Sequence, residues 1–115
     1  MIEVEKRDGS IVNFDSSKIF SAISKAFDSL HMEKDDAIIN LLVLRATADF
    51  QAKIKENRIS VEMIQDSVEK TLSESGYYLV AKTYILYRKQ RENVRKIQST
   101  ANEYIHLVNS YLHNN

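Results

Sequence analysis

A chain of 115 residues with no proline and only two glycines, Gly9 and Gly76, has few places to turn. Long helices joined by short connections are the expectation, and each glycine should mark a specific backbone event. Asp8-Gly9, flanked by Ile- and Val-containing runs, predicts a β-hairpin over residues 2–14. Two registers compete. A two-residue loop would set Val4 against Asn13 and Glu5 against Val12, polar opposite apolar. A three-residue loop, Arg7-Asp8-Gly9 with Gly9 left-handed, pairs Lys6 with Ser10, Val4 with Val12 and Ile2 with Phe14. The second puts four apolar side chains on one face and is the expected register.

The rest reads as helix. Asp15 or Ser16 caps a segment reaching about Leu30, with Ile19, Phe20, Ile23, Ala26, Phe27 and Leu30 at spacings of three and four. Asp35 and Asp36 favour the start of a second helix running to about Glu56. Residues 38–44 are apolar nearly all round, which predicts a central buried helix. Asn57-Arg58-Ile59 fits a third strand beside the hairpin. Ser60 then caps a helix carrying Ile64, Val68 and Leu72, which Gly76 ends. A fourth helix starts near Tyr77, and residues 101–112 form a weaker one of their own. The fold class is α+β, predominantly helical: about four helices covered by a small sheet.

Composition removes whole classes of function. Without cysteine there is no disulfide scaffold, thiol catalysis or cysteine-based zinc site. His31, His106 and His113 are too scattered for a metal site. No apolar run approaches the roughly 18 residues that span a bilayer, and no signal peptide opens the chain, so a soluble cytoplasmic protein without a membrane partner is expected. Basic and acidic residues number 16 each, so bulk charge does not hold the chain on a nucleic acid. The charge is nevertheless uneven. Residues 81–100 carry six basic side chains against one acidic, and residues 60–76 carry four acidic against one basic. A local anion site fits this pattern better than a general polyanion surface.

Three constellations could carry chemistry. Lys6 and Arg7 sit where strand meets loop, and Lys18 lies in the first turn of the following helix. Cations beside the free N–H groups of a helix start make a phosphate pocket, and a merely charged hairpin tip accounts for the same residues. No G-x-x-x-x-G-K-[ST] loop occurs. Tyr84, Tyr87, Arg88 and Arg91 share one helical face; the arginines either reach phosphates or snorkel and pair with Glu92. Ser60 is a plain helix cap that touches a ligand only if it faces the pocket. Catalytic residues are absent from this reading: no histidine stands in a recognisable pattern with a serine or a carboxylate pair. The adjacent Asp35 and Asp36 read as first-turn charges.

Four motifs in order give the chain a relative. Val4-Glu5-Lys6-Arg7-Asp8-Gly9, Phe14-Asp15-Ser16-Ser17-Lys18-Ile19, the run Ile59-Ser60-Val61-Glu62-Met63-Ile64-Gln65-Asp66-Ser67-Val68-Glu69 and the Y-x-x-Y-R-x-x-R stretch of residues 84–91 resemble the ATP-cone domain over residues 2–93. The resemblance implies an allosteric module of a few helices capped by a small sheet, with ATP or dATP, accompanied by Mg2+, bound between them. It implies Lys6, Arg7 and Lys18 as phosphate ligands, Val4 in the base or ribose wall, Ser60 as a pocket hydroxyl, and Arg88 or Arg91 as a further cation. The family often places a polar or acidic side chain in strand two, where only Asn13 is available here.

ATP-cones resemble one another across two settings, the N-terminus of ribonucleotide reductase large chains and a zinc-ribbon repressor. With no cysteine the ribbon is absent. Residues 94–115 look like the linker helix before the catalytic barrel of anaerobic ribonucleoside-triphosphate reductases. The implied partners are therefore the rest of the reductase chain and further copies in a homo-oligomer, with control by nucleotide-dependent conformational and oligomeric change. The competing readings are a ligand-free helical interaction module and a fragment of a nucleotide-responsive transcriptional regulator.

Overall fold

The computed structural model describes residues 1–113. Two short strands, β1 (Glu3–Glu5) and β2 (Ile11–Asn13), form the hairpin. Val4 pairs with Val12, the Lys6 N–H donates to Ser10 O at 2.8 Å, and the Phe14 N–H donates to Ile2 O at 2.9 Å. The apolar pattern therefore wins the register, and Gly9 adopts φ 86°, a conformation its missing Cβ makes inexpensive. A third strand, β3 (Arg58–Ser60), lies one residue later than expected and pairs parallel with β1, giving the order β2-β1-β3.

Asp15, not Ser16, caps α1 (Ser16–Ser29), which buries Ile19, Ile23, Ala26 and Phe27. α1 ends without a glycine. His31 takes the left-handed position, φ 54°, while its N–H donates to Asp28 O (3.0 Å) and that of Met32 to Phe27 O (3.2 Å). This is the arrangement that glycine fills at Gly76, where Tyr77 and Gly76 close the helix Val61–Glu74 by the same pair of bonds. His31→Gly should therefore stabilise the protein by about 0.5–1 kcal/mol, the left-handed cost outweighing the added freedom of the unfolded chain. A thermal melt would show a rise of roughly 2–6 °C; a fall would refute it.

α2 (Asp36–Phe50) departs from expectation twice. It stops at Phe50 rather than near Glu56, and a 3-10 turn, Gln51–Lys53, follows. Glu56 and Asn57 both take positive φ, 53° and 61°, in a two-residue turn closed by reciprocal Lys55–Arg58 bonds of 3.0 and 2.9 Å. That turn delivers β3 alongside β1, and continued helix would have prevented it. The helix is also not buried all round. Ile39, Leu42, Val43, Ala46 and Phe50 face inward, whereas Ile38, Leu41 and Leu44 are exposed.

α3 (Val61–Glu74) packs on α2 through Asp49, whose carboxylate takes the Lys70 ammonium at 3.0 Å and the hydroxyl of the fully buried Ser67. Those contacts, the Ser67 hydrogen bond foremost, hold the Asp49 carboxyl below its usual range. α4 runs unbroken from Tyr78 to His113, so residues 101–112 are not a separate helix. Nothing in that stretch, neither proline nor glycine, interrupts it. The chain forms two units, Met1–Tyr84 and Ile85 onward. The first holds the core, with Phe50 and Phe14 edge-on at 5.5 Å and Val80, Ala81 and Tyr84 from the start of α4.

Candidate functional site

The parallel pairing of β1 with β3 decides what meets at one end of the sheet. Glu3 lies opposite Arg58, Val4 opposite Ile59 and Glu5 opposite Ser60, so both strands run toward the hairpin tip. There β1 passes into Lys6-Arg7 while β3 passes directly into α3. Two cations and a helix N-terminus are thereby set side by side. The Ser60 hydroxyl accepts the Met63 N–H at 3.2 Å, satisfying one first-turn amide of α3; the others carry the partial positive charge that favours an anion.

The tip is held from within. Asp8 accepts the Ser10 hydroxyl at 2.6 Å and the Ser10 N–H at 2.9 Å, which hold its carboxyl below the usual range. Its acceptor capacity goes to the loop. Lys6 is exposed. Arg7 folds back over α3, one guanidinium N–H donating to Gln65 Oε1 at 3.2 Å and Nε standing 3.9 Å from Glu62 Oε1. Its side chain is only 20% exposed, so Arg7 both straps the tip to α3 and lines the junction. Glu62 and Gln65 were not singled out as site residues from the sequence. Their spacing of three on a helix, beneath a strand-end arginine, is the signal that would have found them.

Val4 points its side chain into the core, 7% exposed. Lys18 lies in the first turn of α1, the helix that follows β2. Beside it Asp15 accepts the Ser17 hydroxyl (2.6 Å) and N–H (3.0 Å), with its carboxyl lowered by those bonds first and by Lys18 less. The β1–β3 register thus brings Lys6, Arg7 and Ser60 to one end of the sheet. Arg88 and Arg91 sit one turn apart on the part of α4 that belongs to the second unit. Of the tyrosines beside them, Tyr84 is buried and Tyr87 exposed.

The donor set suits a phosphate: ammonium, guanidinium, hydroxyl and helix amides. Among the described residues no three acidic or histidine side chains are grouped to hold a metal ion. A magnesium ion at this junction would therefore arrive on phosphate oxygens rather than in a protein cage. Nor is any described helix long and apolar enough to cross a membrane.

The comparisons with known proteins agree with the motif order. The alpha subunit of ribonucleoside-diphosphate reductase from Chlamydia pneumoniae is 37% identical over 97% of this chain and 12% of its own length. A vitamin B12-dependent ribonucleoside-diphosphate reductase from Thermoplasma acidophilum is 41% identical over 82% of this chain and 12% of its own. The anaerobic ribonucleoside-triphosphate reductase of Escherichia coli is 29% identical over 89% and 14%. The chain thus spans only about an eighth of the relatives it matches, and the ATP cone domain matches residues 2–93. With the hairpin, the capped helix and their junction all in place, the chain belongs to the ATP-cone family.

Proposed function

We propose that this chain is an allosteric module that binds ATP or dATP and sets the overall activity of a ribonucleotide reductase, without catalysing a reaction itself. The observation that carries the reading is the meeting of Lys6, Arg7 and the α3 N-terminus at the ends of two parallel strands. A triphosphate, with Mg2+ on its oxygens, is the ligand whose charge and size suit that junction. In this reading Lys6 and Arg7 hold phosphates and Ser60 offers its hydroxyl beside them. Lys18 joins them as a third phosphate ligand, and Val4 backs the base or ribose wall. Arg88 or Arg91 adds a cation. Residues 1–93 form the regulatory domain, and residues 94–115 lead toward the catalytic part of a cytoplasmic reductase.

Regulation requires the two nucleotides to differ in their preference between two states, since equal affinity for both shifts nothing. ATP and dATP differ by one 2′-hydroxyl, so the switch must be read at the sugar. ATP then favours the active arrangement of reductase subunits and dATP an inactive one with altered oligomeric contacts. The anaerobic triphosphate type is the partner implied by residues 94–115. Similarity to the diphosphate and B12-dependent types, at 37% and 41%, is at least as high, which supports a module shared across reductases.

Calorimetric titration of the full chain with ATP and with dATP, each with magnesium, tests the reading. Saturable binding of both is expected, with a measurable difference in affinity between them. A folded sample that takes up neither nucleotide would leave the helical interaction module as the better account.

A further inference from the structure

The second unit presents an apolar pattern that nucleotide binding does not use. Val94, Ile97, Ala101, Tyr104, Val108 and Tyr111 follow one another at spacings of three and four without a break. These are the a and d positions of a heptad repeat, the narrow seam along which helices coil around each other. All six lie on the single helix α4, and the five large ones are between 38 and 71% exposed. An exposed apolar seam of this length marks a surface that takes a partner.

We propose that this seam pairs with the same seam of a second copy of the chain, in a parallel two-stranded coiled coil. Charge is the first argument. The flanking e and g positions are Asn93, Gln98, Thr100, Ile105, Leu107 and Leu112, none of them charged. The charged side chains of this stretch, Glu92, Arg95, Lys96 and Glu103, all fall on the outward b, c and f positions. Charged e and g residues are the usual means of choosing a different partner and rejecting an identical one. Here nothing repels the identical helix.

Shape and area agree. Ile97, Thr100, Ala101 and Tyr104, at i, i+3, i+4 and i+7, line a shallow apolar depression beside Lys96. Four residues at those offsets form the hole that receives a knob from a facing helix. β-branched Val94 and Val108 at a positions favour two strands. Together with the flanking Ile105, Leu107 and Leu112, the large apolar side chains of the seam offer on the order of 800 Å², the share of one partner in a standard interface.

The pairing involves no nucleotide and stands apart from the nucleotide reading. Sedimentation equilibrium of the nucleotide-free full chain should show a monomer–dimer equilibrium. Tyr104→Glu, which buries a carboxylate in the seam of each copy, should weaken the dimer at least 100-fold. Glu103→Lys, one residue away but outside the seam, should leave it within about threefold. Far-UV spectra at dilutions where every variant is monomeric verify that the helix persists. The protein has no cysteine, so Ala101→Cys reports orientation directly: air oxidation should link the copies, which only a parallel in-register pair allows efficiently. A chain monomeric up to about 1 mM, a dimer indifferent to Tyr104→Glu, or a Tyr104-dependent dimer that Ala101→Cys does not link would each overturn the proposal.

Discussion

Lys6→Glu/Arg7→Glu should abolish nucleotide binding while leaving the fold in place. Both side chains leave the sheet beside the α3 N-terminus, and reversing them sets two carboxylates where a triphosphate would lie, next to the Glu62 already there. Each charge-assisted hydrogen bond to a phosphate contributes about 1.5–3 kcal/mol, so the pair accounts for roughly a thousandfold in affinity before repulsion is added. The cost to folding is small by comparison. Lys6 is exposed, and Arg7 loses a hydrogen bond to Gln65 worth about 1 kcal/mol. Calorimetry with ATP should show no heat of binding, with a melting temperature within about 8 °C of the parent. A double variant that binds ATP within tenfold of the parent would remove the junction from the site.

The single variants separate two roles. Lys6 is exposed, so on the proposed reading Lys6→Ala should weaken ATP without moving the melt. Arg7→Ala should do both, because Arg7 spends its guanidinium on α3 when no phosphate is present. That double duty was not legible in the sequence, where Arg7 read as one more cation at a turn. What could be read was whatever depends on alternation or on a cap. The Val4–Val12 register follows from which face is apolar, and Gly76 had one position it could close. The Glu56-Asn57 turn left no such mark, because neither residue is a glycine although both take positive φ. Without such a mark the helical pattern of α2 continues on paper to Glu56, six residues past its end at Phe50. Residues 94–112 hid their continuity similarly: polar stretches between apolar pairs resemble a break until the helix is seen whole.

Phe50→Ala should be the most damaging single substitution in the core, and its comparison with Leu44→Ala decides how α2 is buried. Residues 38–44 alone suggest a helix surrounded by protein, in which Leu44 and Phe50 would cost similar amounts. In the structure Phe50 is completely buried, edge-on to Phe14 where the hairpin enters α1, whereas Leu44 is 66% exposed on the opposite face. Removing a buried phenyl ring forfeits its transfer free energy and leaves a cavity, about 3–5 kcal/mol together. A unit of this size has a total stability of only about 4–13 kcal/mol, so Phe50→Ala removes about a quarter of it or more. Leu44→Ala removes little that water does not already touch and should stay within about 0.5 kcal/mol. Urea unfolding followed by circular dichroism resolves the two, as a large fall in midpoint for one and almost none for the other. Equal losses would mean that α2 is enclosed on both faces. Because Phe14 joins β2 to α1, the same cavity should loosen the hairpin that carries Lys6 and Arg7, so nucleotide affinity should fall with stability in Phe50→Ala and remain unchanged in Leu44→Ala.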